Sequence, residues 1–282
     1  MRRRTLLALL PAVFLAAHGA DPVKPLRIAA NPNLSHIELL NNFGPLASAL
    51  ERQLGMPVEL VSGRDYDDTL RLLKTGAVDV AGSGAFGYVS ANAEFGARLL
   101  VRYVEAGGEF YHAVIIVRTE SPLRSLKDLR GKRFAFTDEK STSGYLLPML
   151  ALQQQGVELS DLGAVDFVKK QPNAALAVYN RQADAGALAD NQLTEKYGIR
   201  LDQIRILWRS EPIYHGVWMV RPDMPDPLFK QLQAAMLKVA GEPAVAAGLT
   251  RGSVKGFVIG KDSDFDNVRA AKKLLDKLQK SN

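Results

Sequence analysis

The 282-residue sequence predicts a two-lobed α/β protein, each lobe a mostly parallel sheet flanked by helices, with a cleft between the lobes. Two observations point there. Short apolar runs alternate with segments of helical period along most of the chain, which is the pattern of βαβ units. In addition, two strands open on nearly the same residues, Tyr111-His112-Ala113-Val114 and Tyr214-His215-Gly216-Val217. They bracket a complete α/β set, so the simplest path is a domain inserted into another, with two chain crossings. The boundaries expected are 26–110 plus 222–282 for the first lobe and 111–221 for the second.

The elements justify that reading in order. Residues 26–30 form an apolar strand, broken by Asn31-Pro32-Asn33. Leu39, Leu40, Phe43, Leu46, Ala47, Leu50 and Leu54 recur at helical spacing, and Gly55 ends that helix. Residues 58–61 are a second strand. Asp65-Tyr66-Asp67-Asp68 opens a helix with acids at the positive end of its dipole. A third strand at 78–82 runs into the glycine-rich turn at 83–87 and a short helix from Tyr88, and 99–103 is a fourth strand. The second set has strands at 111–118, 133–136, 164–168, 183–188 and 204–208. Helices are expected after 145, around 174–180 and near 192–197. Residues 214–220 read as a returning strand and the tail from Pro227 as helical.

Composition narrows the function. The chain has no cysteine, so a disulfide framework, a thiolate metal site and a cysteine nucleophile are excluded. Arg2-Arg3-Arg4, an apolar run to Ala16 and the small residues Ala17 and Gly19 make a secretory leader over 1–19, too short to span a membrane. Its removal reduces the formal charge from +6 to +3, a spread excess that suits a small anionic ligand and gives no nucleic-acid footprint. Gly82-Ser83-Gly84-Ala85-Phe86-Gly87 lacks dinucleotide spacing. There is no Walker lysine, no Gly-x-Ser-x-Gly elbow and no paired metal-ligand histidines, so neither an enzyme nor a bound cofactor or metal is expected.

The stretch richest in chemistry is Ser141-Thr142-Ser143-Gly144-Tyr145, between the strand at 133–136 and an apolar helix. First-turn N–H groups have no partner inside a helix, and the dipole adds partial positive charge there. Hydroxyls add rotatable donors, and a glycine admits close backbone approach. The stretch therefore reads either as a helix cap or as an anion cradle.

Phe43-Gly44-Pro45-Leu46, Asp65-Tyr66, residues 76–81, Tyr111, Ser125-Leu126-Lys127-Asp128-Leu129-Arg130-Gly131-Lys132, the Ser-Thr-Ser-Gly-Tyr string with Pro148, and residues 183–186 form one further set. By these motifs the chain resembles the phosphonate/phosphite/phosphate-binding periplasmic proteins of ABC transporters, which have the type II periplasmic binding protein fold. The resemblance implies that Ser141, Thr142, Ser143 and Gly144 cradle a phosphoryl group. It implies a periplasmic monomer that hands a small oxyanion to an inner-membrane ABC permease, or to a sensor kinase. The chain departs from the family at Ser83, where an aromatic is usual, at Gln171, where a glutamate faces the ligand's amino end, and near Tyr214, where proline is usual. Asp190 is the expected substitute acid. Tyr66, Tyr111, Tyr214, His112 and His215 are the remaining candidate ligand contacts, with Asn31, Asn33, Ser35 and His36 at the carboxyl edge of the first strand. Other readings are a sulfonate ligand, an aromatic one suggested by Tyr214 and Trp218, and a phosphate-ester enzyme of the same fold.

Overall fold

The computed structural model describes residues 24–30, 35–251 and 253–280. The leader, Asn31 and Asn33 lie outside the described residues.

The first lobe begins β1 (Leu26–Ala29), α1 (His36–Leu54), β2 (Val58–Val61), α2 (Tyr66–Lys74), β3 (Val80–Ser83), α3 (Ala85–Phe95) and β4 (Arg98–Glu105). Ser35 caps α1 in a reciprocal box with Glu38, and Gly55 ends it in the left-handed region. Asp65 caps α2 through Asp68 N–H. A two-residue strand, β5 (Phe110–Tyr111), leads into the second lobe. That lobe comprises β6 (Ala113–Arg118), β7 (Arg133–Phe136), α4 (Leu147–Gln154), β8 (Ala164–Phe167), α5 (Gln171–Tyr179), β9 (Ala185–Ala189) and β10 (Ile204–Arg209). The chain returns through β11 (Ile213–Tyr214) and β12 (Val217–Val220). It ends with α6 (Asp226–Val239), α7 (Pro243–Arg251), β13 (Val254–Val258) and α8 (Asp266–Lys280).

The strands form two sheets, β13-β4-β12-β3-β1-β2 and β10-β6-β9-β7-β8, joined by the small β11-β5 ribbon. Both crossings between the lobes run through that ribbon, in which Ile213 pairs with Tyr111. The sheets are mixed rather than mostly parallel. Only β2-β1-β3 and β9-β7-β8 run parallel, while β12, β4 and β13, and β6 and β10, are antiparallel to their neighbours. Apolar alternation reports which residues are buried but not which way a strand runs.

The expected strand at 214–220 is two pieces. Residues 213–214 belong to the ribbon, whereas β12 inserts between β3 and β4 in the first sheet. The second lobe therefore stops short of 221. Gly216 makes the switch possible: a Cβ there would lie 2.8 Å from the Ser83 carbonyl oxygen and 2.9 Å from the Tyr103 ring. β13, expected to be helical, is an edge strand whose Val254 and Phe257 are buried. The helix expected near 192–197 is replaced by single 3-10 turns, the second stopped by left-handed Gly198.

The first core lies between its sheet and α1 and α6, with Leu26, Ile28, Leu46, Leu50, Leu232 and Met236 buried. Trp218 is fully buried there, edge-on to Phe43 at 5.5 Å and Tyr103 at 5.9 Å, so it is a core residue and offers no aromatic ligand platform. α8, assigned to the first lobe by the sequence, lies against both α3 and α4 and buries Val268, Ala271 and Leu275. It straddles the two lobes because its apolar stripe needs cover from both.

Candidate functional site

Two helix N-termini meet across the cleft. α3 starts just past the carboxyl end of β3, with Gly84 as its N-cap and no side chain closing it. Opposite, β7 leads to Ser141, which caps a single π-helical turn over Thr142–Leu146 that runs into α4. The first-turn N–H of Phe86, which has no partner within its own helix, donates to Thr142 Oγ1 at 2.8 Å, so a hydroxyl of the second lobe closes a helix of the first. A Cβ at Gly84 would lie 3.4 Å from that same oxygen, so the bare backbone there lets the two ends approach closely.

Ser141, Thr142 and Ser143 are all at most 2% exposed. Gln171, the first residue of α5 and itself buried, locks them. Its Nε2 donates to Ser141 Oγ at 3.1 Å and to Ser143 Oγ at 3.2 Å, while Ala189 N–H donates to its Oε1 at 2.8 Å. Because a backbone N–H can only donate, the Ala189 bond fixes which way the amide points. Ser141 Oγ also accepts from Gly144 N–H at 3.0 Å. Both lone pairs of that hydroxyl are then used, and its proton is free to point elsewhere.

These groups line a cleft cavity of about 90 Å³ together with Tyr66, Gly84, Tyr103, Glu105, Tyr111, Ala189, Asn191, Gln192, His215 and Gly216. That is room for a compact group and well below the roughly 300 Å³ of the smallest drug-sized pockets. No lysine or arginine is among the lining residues. His215 stacks on Tyr111 at 5.1 Å, and its Nδ1 lies 3.3 Å from Glu105 Oε1. The other oxygen of Glu105 accepts from Asn191 Nδ2 at 2.7 Å, a second polar link between the lobes. The hydroxyl of Tyr103 and Nε2 of His215 are buried without a partner. Burial pushes the Tyr111 phenol well above its ordinary value, partly offset by hydrogen bonds with Ser143 and Thr142. Burial, helped by Glu105, does the same to Tyr103.

Of the residues singled out from sequence, Ser141, Thr142, Ser143, Gln171, Tyr66, Tyr111 and His215 surround this cavity. The others sit elsewhere. Gly144 is packed against Thr137, which a Cβ would approach to 2.3 Å, so its small size serves the turn and not a ligand. Ser83 is turned under α3 against Gly87. His112 Nδ1 contacts the Ser210 carbonyl at 2.8 Å and is spent on holding β6. Asp190 is paired with Arg209 at 2.8 Å and accepts from His112 N–H at 3.1 Å, so it is not the substitute acid. Tyr214 stacks on Phe110 at 4.5 Å beneath the Arg102 guanidinium at 4.0 Å. Ser35 is the α1 cap and His36 contacts Ser62 Oγ at 3.0 Å. Sequence reasoning missed Gly84, Tyr103, Glu105, Asn191 and Gln192. Tyr103 and Glu105 share one face of β4 at its carboxyl end, the edge where α/β proteins bind ligands, and that was the available signal.

Comparison with known proteins fits this geometry. The family described as ABC transporter, phosphonate, periplasmic substrate-binding protein matches residues 28–265. The Phosphate-import protein PhnD of Mycolicibacterium smegmatis is 30% identical over 269 residues, which cover 86% of this chain and 84% of that protein. The Phosphonates-binding periplasmic protein of Escherichia coli is 27% identical over 72% of this chain and 63% of that one. The structure of PhnD1 from Prochlorococcus marinus in complex with methylphosphonate superposes with a TM-score of 0.79 at 22% identity, covering 90% of this chain and 99% of that one.

Proposed function

We propose, from the premise that the chain belongs to the periplasmic substrate-binding proteins of ABC phosphonate transporters, that its cleft binds one small phosphorus oxyanion, a phosphonate, phosphite or phosphate. One observation carries the reading: the start of α3 and the capped turn at Ser141 converge on a cavity lined by hydroxyls and lacking a fixed cation. Hydroxyl and helix-end donors suit a tetrahedral oxyanion, and charge-assisted hydrogen bonds to it are the strong kind. Ser141, Thr142 and Ser143 hold its oxygens, with Tyr66, Tyr103, Tyr111 and His215 closing the first-lobe side.

Closing of the lobes about the β5–β11 ribbon then presents the loaded form to an inner-membrane permease. The leader at 1–19 directs the protein to the periplasm, and the ligand is released unchanged. The test is calorimetry against methylphosphonate, phosphite, phosphate and methanesulfonate. Binding of a phosphorus oxyanion is expected. Ser141→Ala combined with Thr142→Ala removes two charge-assisted bonds of about 1.5–3 kcal/mol each and weakens it at least a hundredfold. Unchanged binding by the double variant would sink the cradle reading.

A further inference from the structure

The cavity lining is made largely of donors, and His215 is the group in it that can change role. The imidazole is 3% exposed, with Nδ1 at 3.3 Å from Glu105 Oε1 and Nε2 buried without a partner. An ionised carboxylate only accepts, so Glu105 keeps the proton of a neutral imidazole on Nδ1 and leaves a lone pair at Nε2. That lone pair repels a bare ligand oxygen and welcomes a protonated one. A proton added at Nε2 reverses the polarity and makes it a charged donor. In both descriptions one and the same proton sits between imidazole and oxyanion.

Ser141 cannot take that proton, and one of the two lone pairs of Ser143 is also in use. Ser141 Oγ already accepts from Gly144 N–H and Gln171, and Ser143 Oγ accepts from Gln171. Among the described residues no lysine or arginine lines the cavity to offset a second ligand charge. The groups facing His215 are few. Glu105 and Tyr103 come from β4, Tyr111 from β5, and Tyr66 lines the same cavity from α2. Asn191 holds the far oxygen of Glu105 from the second lobe. The backbone carbonyl of Glu109 accepts His215 N–H at 3.3 Å, while the Glu109 side chain is paired with Arg102.

Resting on the oxyanion reading of the cleft, we propose that the phosphorus oxyanion is bound together with one proton. That proton lies between a ligand oxygen and His215 Nε2, with Glu105 as the positioning residue that fixes the tautomer. A dianionic ligand draws the proton from solvent, whereas a monoanion brings its own, and no other bond changes. The consequence is a site that counts protons: above the ligand's second ionisation, affinity falls about tenfold per pH unit.

The experiment is calorimetry on the full chain with methylphosphonate at about pH 8.5, in buffers of different ionisation heat. Uptake of one proton per ligand is expected. Methanesulfonate carries no second ionisation, so proton uptake with that probe reads the protein alone, and one proton is expected there too. His215→Gln should abolish the uptake and leave weaker binding. Glu105→Gln should reduce uptake and affinity together, an effect that lost packing alone would not produce. Oxyanion binding without proton uptake in the wild type, or undiminished uptake in His215→Gln, overturns the inference while the oxyanion reading stands. Should His215→Gln fail to fold, the wild-type proton count decides. If no tetrahedral oxyanion gives heat at any pH, the reading of the cleft itself falls, and the inference with it.

Discussion

The N–H of Ala189 donates to Gln171 Oε1, and the polarity of the whole serine turn follows from that one bond. The amide nitrogen must face Ser141 and Ser143, and their hydroxyl protons are left for something else. Gln171→Glu tests this directly. A glutamate still accepts from Ala189, so the fold should hold. Its other oxygen accepts from the serines instead of donating, turns their protons away from the cavity and adds a like charge to it. The expected result is oxyanion affinity lowered about a hundredfold or more, at 1.5–3 kcal/mol per lost charged hydrogen bond, with an unchanged circular dichroism spectrum. Retained affinity would show that the serine protons do not serve the ligand. At this scale residue type was enough to place Ser141 to Ser143 at the cleft cavity. It misled where a residue acts through others. Gln171 suggested a ligand contact because the resembled family has a glutamate facing the ligand there, while its bonds in this fold run to the Ser141 and Ser143 hydroxyls. Glu105 was unreadable because its meaning depends on His215, 110 positions away in the chain and joined to it only by folding.

Among the elements, the turn between β7 and α4 is the tightest. Gly144→Ala would press a methyl onto Thr137 at 2.3 Å and onto Ser141 Oγ at 2.9 Å. Overpacking of this kind costs about 1–3 kcal/mol, so a lower urea midpoint and weaker ligand binding should appear together. A normal midpoint would mean that Thr137 yields without disturbing the turn. Helix α2, which carries Tyr66 at its start, is anchored differently. Hydrogen bonds from Arg64 and then Arg71 hold the Asp68 carboxyl far below the usual carboxylate range. A depressed folded value means stability that is present above the unfolded value of about 3.9 and is lost as pH falls through the lower folded one. The thermal midpoint of Asp68→Asn should therefore lie below the wild type at neutral pH, and the gap should narrow progressively as the pH falls below about 4. A gap that persists in acid would assign the effect to shape instead of charge. The elements themselves were largely visible as periodicity. What periodicity lacks is strand direction and sheet membership, which is why β12 was placed in the wrong lobe and the sheets looked parallel. β13 was overlooked because a five-residue alternation broken by Gly256 is a weak signal next to the long helical patterns around it.

For the whole molecule, the cleft rims carry opposite charge. Asp67 of the first lobe is 3.9 Å from Lys140 of the second. Glu38, held low mainly by its bonds to Ser35, also feels Lys196 and Lys170, and Asp65 acts on Lys169. Pairs this exposed are worth about 0–1 kcal/mol each and are screened as the Debye length shrinks from about 10 Å at 0.1 M salt to about 3 Å at 1 M. Ligand affinity should then weaken several-fold over that range. Lys140→Gln with Lys170→Gln should flatten the dependence, measured with methylphosphonate at fixed pH. An equal salt slope in the variant would leave the rims no part in closure. The two-lobed plan was legible because the Tyr-His repeat marks both crossings. The bridging of α8 was not, since an amphipathic stripe does not say which surfaces it covers.

The bond from Phe86 N–H to Thr142 Oγ1 makes one amide a clock. That hydrogen belongs to the first turn of α3, and the partner it has lies on the other lobe. Its exchange with deuterated solvent is then governed by separation of the lobes and not by fraying of the helix that carries it, so a single resonance reports how often the cleft gapes and how long a ligand keeps it shut.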